Sequence, residues 1–256
     1  MLTDSAELER VASMIAATSR ITVLTGAGIS TDSGIPDFRG PNGVWTVNPQ
    51  AQQLSRLDRY VADAELRKQA WRNRRAHAAW TAEPNAGHRA IVSLQHAGKL
   101  RALVTQNVDG LHQRAGSDPA RVVEVHGTIW QAECLGCGDR VRMHSVLARV
   151  AAGEEDPRCL RCGGLVKSAT VSFGQSLQPR VWHAAVEAAR DCDLFLAVGT
   201  SLQVQPVAGL CDVALSAGAR LVVINADPTP YDTRAEAVLR DPISVVLPVL
   251  VRELAA

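Results

Sequence analysis

Five short apolar runs, at 21–25, 100–105, 121–125, 193–198 and 221–224, are separated by stretches whose apolar residues recur at helical spacing. Leu8, Val11, Ala12 and Ile15 form one such stripe, 88–97 carries another, and Val207, Leu210, Cys211 and Ala214 a third. Runs without polar alternation are strands covered on both faces, and parallel neighbours need crossover helices, so the pattern predicts an α/β fold around a parallel sheet. Asp4, with Glu7 three residues on, is placed to cap the first helix.

The chain has 256 residues, more than a usual domain of about 100–150, which favours one sizeable domain with insertions. Apolar residues make up 46% and charged residues 21%, with a net charge of +1, which excludes a disordered chain and a strongly basic nucleic-acid binder. Nucleic acid is therefore not an expected partner. The longest uncharged run, 194–211, contains Gln203, Gln205 and Pro206, unsuited to a membrane span, so no membrane partner is expected. The first residues lack a basic stretch followed by an apolar one, so a cytoplasmic protein is expected.

Two regions interrupt the alternation. About 38–84 holds no convincing strand and carries Trp45, Trp71 and Trp80 with a basic tract at 67–75, and is read as a helical or loop insertion. The second, about 131–166, contains Cys134-x-x-Cys137, 21 intervening residues, and Cys159-x-x-Cys162. In a reducing compartment such paired knuckles place four thiolates around one Zn²⁺, and four cysteine ligands leave no open position, which makes the metal structural. A redox or core role is the alternative. Cys192 and Cys211 fall on apolar stretches and read as core thiols.

Polar loops follow the strands. Gly26-Ala27-Gly28-Ile29-Ser30 is a tight turn that opens a helix whose N–H groups would meet a pyrophosphate, although a third glycine and an acidic residue about 20 positions on are lacking. Gly199-Thr200-Ser201 and Asn225-Ala226-Asp227 end two further strands, and three such loops form the crevice of a dinucleotide site. In the loop 34–40, Arg39 suits a phosphate, Asp37 can orient Arg39 or a ribose, and Phe38 can shield a reactive carbon; a plain surface turn is the alternative. Gln106, Asn107 and Asp109 follow the second predicted strand, and His126 follows the third, bringing an imidazole toward the same edge.

The ordered set GAGIS, GIPDFRG, TQNVDGLHQRAG, HG, two C-x-x-C pairs, VSFG, GTSLQVQP and INAD resembles the sirtuins along nearly the whole chain. The resemblance implies a Rossmann-like NAD-binding domain over 1–130 and 167–256, with the helical insertion at about 38–84, and a small inserted zinc-binding domain at 131–166. It implies an NAD-dependent protein-lysine deacetylase: the acyl oxygen attacks the nicotinamide ribose, nicotinamide leaves, and the acyl group ends on ADP-ribose. His126 matches the general base, Asn107 and Asp109 the residues that hold the nicotinamide amide and a water, and Gln106 a ribose contact. Ala27, Ser30, Arg39, Thr200, Ser201, Asn225 and Asp227 match dinucleotide loops, and Ile243 lies near the adenine. Val171, Phe173 and Gly174 match the segment to which an acyl-lysine peptide adds as a strand, and Val204, Phe173 and His126 a tunnel for the lysine stem.

Two departures bear on the peptide groove: Gln175 stands where many relatives carry Glu, and Ser168-Ala169 where a proline-containing stretch is common. Relatives that remove succinyl or malonyl groups carry Tyr-x-x-Arg; here Trp71 replaces the tyrosine and Arg74 remains, while the bland reading makes 67–75 a solvated basic face. Removal of another acyl group, mono-ADP-ribosylation and a noncatalytic NAD-sensing role are the competing outcomes.

Overall fold

A computed structural model describes residues 4–255. Among them the strands are β1 (Ile21–Thr25), β2 (Leu100–Thr105), β3 (Val122–Glu124), β4 (Gly127–Cys134), β5 (Arg140–Arg142), β6 (Val166–Thr170), β7 (Leu194–Val198), β8 (Arg220–Ile224) and β9 (Ala237–Leu239). Six form a wholly parallel sheet in the order β3-β2-β1-β7-β8-β9. Counted in chain order this is 3-2-1-4-5-6, the doubly wound arrangement whose ligand crevice opens where the order reverses, here between β1 and β7.

Every residue of β1 and β7 is buried, and alternate residues serve opposite layers. Val23, Leu196 and Val222 pack with helices Ser5–Ala17, Ala86–His96 and Ile243–Leu250; Leu24, Phe195 and Val223 pack with Pro179–Arg190 and Leu210–Ser216. All five predicted strands form. Asp4 accepts from Ala6 N as the predicted cap, whereas Glu7 pairs with Arg10 instead of closing a capping box. The turn after β1 opens a seven-residue 3₁₀ helix, Ala27–Ser33, in place of the expected regular helix. Cys192 and Cys211 are buried core thiols, as expected.

β4, β5 and β6 form a separate antiparallel sheet ordered β5-β4-β6. Ala132, Cys134 and Val166 from this sheet, with Met143 and Val146 of helix Met143–Ala151, enclose Trp71 of the insertion helix Ala64–Arg75. The insertion is helical, including Val44–Val47 and Leu57–Ala62. Its basic tract is a solvated face only in part, at Arg72 and Arg75. Arg67, 5% exposed, grips Asp156 through Nε and Nη2 (3.1 and 3.0 Å) and donates to the Tyr60 and Val61 carbonyls, while Lys68 and Arg72 reach Glu155. Charges that read as surface in sequence thus clasp the insertion to the small sheet, because their partners lie more than 80 residues away.

Candidate active site

The loops after β1 and β7 meet at the sheet's switch point. Gly26 N donates to Val198 O (3.0 Å) and Gly28 N to Gly199 O (2.9 Å), so the two glycine turns lie against one another. Gly199 N in turn donates to Ile224 O (2.8 Å), which brings the loop after β8 alongside. Within that loop Asn225 Nδ2 donates to Asp227 O (2.8 Å), and Ala226 and Asp227 are exposed. Ile243 borders Gly199 from the N-terminus of its helix.

The loop after β2 completes the crevice floor. Asn107 Nδ2 donates to Gly26 O (3.0 Å) and to Ser30 Oγ (3.3 Å), which leaves its Oδ1 as an acceptor for a ligand amide. Ser30 Oγ donates to Asp109 Oδ2 (2.8 Å), and Leu111 N donates to Oδ1 (2.9 Å). Gln106 Nε2 donates to Thr200 Oγ1 (2.9 Å), tying β2's loop to β7's. Burial raises the Asp109 carboxyl above its ordinary value, against the lowering effect of the Leu111 amide and Ser30 hydroxyl. Residues from four separate motifs thus share one hydrogen-bonded cluster.

His126 stands at the end of β3. Its Nδ1 lies 3.2 Å from Gln106 O, and a carbonyl can only accept, so the ring proton sits on Nδ1 and Nε2 keeps its lone pair. Burial lowers the imidazole pKa, partly offset by that carbonyl, which favours the neutral, base-competent ring. Val171 N donates to His126 O (2.8 Å), placing the 171–174 segment beside it. The main-chain groups of Phe173 are already engaged: its N–H donates to Ser55 O (2.8 Å) and its carbonyl accepts from Leu57 N (3.0 Å). Gln175 closes a turn on Ser172 from both ends. Val204 lies half-buried in the turn after β7 and accepts from Ala208 N.

Asp37 does not orient Arg39; its Oδ1 accepts from Gly40 N (2.9 Å) and braces its own loop. Arg39 stacks over Trp45 at 4.6 Å, and Trp45 also meets Phe38 (4.7 Å between centroids) and Phe173 (5.6 Å). Trp45 therefore joins the 34–40 loop to the 171–174 segment.

The four predicted metal ligands converge. Their sulfurs lie within 4.8 Å of one another, with Cys134–Cys162 at 3.5 Å and Cys137–Cys159 at 3.7 Å. Zn–S bonds of about 2.3 Å put tetrahedral sulfurs about 3.8 Å apart, whereas a disulfide needs about 2.05 Å. The donor set fits a structural zinc ion.

Residues 26–206 match the Sir2 family. The chain belongs to the Sir2 family. It is 53% identical to NAD-dependent protein deacetylase 2 of Streptomyces coelicolor over 91% of this chain and 97% of that protein. It is 45% identical to the NAD-dependent protein deacetylase of Rhodopseudomonas palustris over 95% of each. Among solved structures, a Sir2 enzyme superposes with a TM-score of 0.89 at 36% identity, covering 98% of this chain and 99% of that one. A Sir2 protein bound to a propionylated peptide superposes with 0.86 at 27%, covering 96% and 98%.

In this Sir2 protein several supporting residues escaped the sequence reading. Trp130, on β4, donates from Nε1 to Asp109 O (2.7 Å). Asn85 caps helix Ala86–His96 and donates to Ile29 O (2.7 Å) and Ser33 Oγ (3.0 Å). Arg240 donates to the carbonyls of Asn225 (2.8 Å) and Asp227 (2.7 Å), bracing the third loop. Only Asn85 carried a local signal, as a cap residue before an apolar helical stripe.

Proposed function

We propose that this chain is an NAD-dependent protein-lysine deacetylase, transferring the acyl group of a modified lysine to ADP-ribose with release of nicotinamide. The observation that carries the reading is the placement of an Nε2-bare His126 beside the Ser30–Asn107–Asp109 cluster at the switch point of a doubly wound sheet. NAD supplies an electrophilic ribose carbon with nicotinamide as leaving group. The backbone turns at Gly26, Ala27, Gly28 and Gly199, with Thr200, Ser201 and Arg39, receive the pyrophosphate. Asn225, Ala226, Asp227 and Ile243 face the adenosine end. Asn107 and Asp109 orient the carboxamide and a water, Gln106 meets the ribose, and His126 takes a proton at Nε2 from a ribose hydroxyl.

The protein substrate adds along Val171–Gly174, with Phe173 and Val204 flanking the lysine stem and Phe38 excluding water. The pairing of Phe173 with Ser55 and Leu57, and of Gln175 with Ser172, leaves Gly174 as the main-chain edge for that peptide. We assign 131–166 as the zinc-binding module on a body formed by 1–130 and 167–256. Among the described residues no helix is long and apolar enough to cross a membrane. We place the protein in the cytoplasm, where four unbridged thiols stay available to a metal, and the near-neutral charge gives no reason to add nucleic acid as a partner.

One observation favours a second acyl class. Arg74 is desolvated enough to bring its guanidinium down to about 10, and it forms no ion pair with a carboxylate among the described residues. An acidic acyl group would supply the missing charge, although Trp71, at 2% exposure, belongs to the core and offers such a group nothing. Acetyl-, succinyl- and long-chain-acyl-lysine peptides, incubated with the protein with and without NAD and followed by mass spectrometry beside His126→Ala, test both readings. NAD-dependent acyl loss with O-acyl-ADP-ribose formed supports the proposal. Intact peptides, or activity retained by the variant, overturn it.

A further inference from the structure

Two imidazoles are sealed beneath the loop that carries Asn107. His88, on helix Ala86–His96, is 0% exposed, and His112, on helix Leu111–Ala115, is 1% exposed; their centroids are 4.9 Å apart. Each has one ring nitrogen with no partner, His88 Nε2 and His112 Nδ1. An unsatisfied buried polar atom is uncommon, and here two occur on adjacent rings.

The proton positions follow from what their neighbours can do. Asn85 N lies 3.3 Å from His88 Nδ1, and a backbone amide only donates, so His88 carries its proton on Nε2. His112 Nε2 lies 2.9 Å from Thr25 Oγ1. A proton on His112 Nδ1 would give neighbouring rings two buried donors and no acceptor. A proton on Nε2 instead leaves Nδ1 with a bare lone pair beside the His88 Nε2–H, an electrostatically favourable juxtaposition though not a hydrogen bond. His112 then donates to Thr25 Oγ1, Thr25 donates to Thr105 Oγ1 (2.8 Å), and Thr105 Oγ1 also accepts from Asn107 N (3.0 Å). The donors run in one sense from His112 through the ends of β1 and β2. Burial lowers both imidazoles, His88 to about 4, so both stay neutral.

We propose that His112, with its tautomer set by His88, is a positioning residue for the nicotinamide loop, acting through the hydroxyls of Thr25 and Thr105 to hold Asn107 in place. This rests on the reading that Asn107 meets the nicotinamide carboxamide. Without the His112 donor, a lone pair of Thr25 is left buried and empty, and the Thr25–Thr105 hydroxyl pair under the loop loses the contact that orients it.

The test uses the full-length protein. Nitrogen-15 NMR of the wild type is expected to find His112 protonated at Nε2 and bare at Nδ1. His112→Leu should weaken NAD binding by calorimetry about five- to tenfold and raise KM for NAD, leaving KM for the acyl peptide unchanged. His112→Gln, whose amide can still donate to Thr25, should recover most of the loss. On a Thr25→Val background, His112→Leu should have little further effect, because the group it acts through is gone. A proton on His112 Nδ1, wild-type NAD affinity in His112→Leu, or a full additive loss in the double variant would each overturn the proposal. If His112→Leu does not fold, the tautomer and the His112→Gln variant decide. A wild type that fails to bind NAD would overturn the functional reading itself, whereas a wild type that binds and turns over beside unaffected variants removes only His112.

Discussion

Gly199 lies where the two glycine turns cross, with φ at +62°. A Cβ there would sit 2.8 Å from the Gly28 carbonyl carbon and 2.9 Å from Ile243 Cδ1, and closer still to the Ile29 amide nitrogen. The isoleucine methyl can rotate aside, but the Gly28–Ile29 backbone is held by its own hydrogen bonds. Two penalties add in Gly199→Ala: about 1–2 kcal/mol for an L-residue in left-handed backbone, and about 1–3 kcal/mol for displacing packed structure, a total of roughly 2–5 kcal/mol. Gly218, just past helix Leu210–Ser216, has φ +89° and nothing within 4 Å, so Gly218→Ala isolates the first penalty. Urea denaturation of the two variants against the wild type, with NAD affinity by calorimetry, separates them. Gly199→Ala should lose markedly more stability than Gly218→Ala, and it alone should lose NAD affinity. Equal losses in stability, with NAD binding intact in both, would refute the argument that these loops leave no room for a methyl.

Because burial lowers the His126 pKa, the imidazole stays unprotonated into more acidic solution, and the acid limb of kcat/KM should fall below about 6.5; a limb at or above that value would contradict the assignment. His126→Ala should abolish deacylation while leaving NAD binding and thermal stability near wild type, read by calorimetry and circular dichroism. Cys134→Ser should lower zinc content by atomic absorption together with thermal stability, and a stable, metal-free variant would remove the zinc site. Asp109 has a folded-state pKa raised by burial, so its contribution to stability is present below the unfolded carboxyl pKa and lost as pH rises through the elevated folded value. Asp109→Asn should therefore raise the melting temperature at neutral pH, with the gain vanishing in acid, while turnover falls; a neutral-pH melting temperature at or below wild type would contradict this.

The strands buried on both faces were legible because each is a short run dominated by apolar residues with no apolar–polar alternation, and the loops after them because polar residues at the ends of such runs have little packing role. β9 was not, since Ala237–Leu239 is three residues long and its apolar pattern is no different from a short loop's. The small sheet was seen only through its cysteines: the β5 residues Arg140–Arg142 are all exposed and show no alternation. The regular helix expected after Gly28 is instead a short 3₁₀ turn, which Gly34, left-handed at φ +83°, ends after seven residues. Trp130, Arg240 and the His88–His112 pair acquire their roles from partners brought close by the fold, and Arg67 looked like a surface charge until Asp156 was beside it.

The reversal of strand order also bears on how the molecule comes into being. β1 takes its neighbours from positions 100–105 and 194–198, so during synthesis its second edge waits until nearly four-fifths of the chain has been made. Until then a largely apolar strand keeps one edge of unpaired backbone groups open, the kind of surface that pairs with other chains. The proposed dinucleotide crevice is absent over the same interval, because one of its walls is the turn beginning at Gly199. Possession of the crevice thus certifies that the long-range pairing is complete, and NAD in the cell would select finished molecules from those still liable to aggregate.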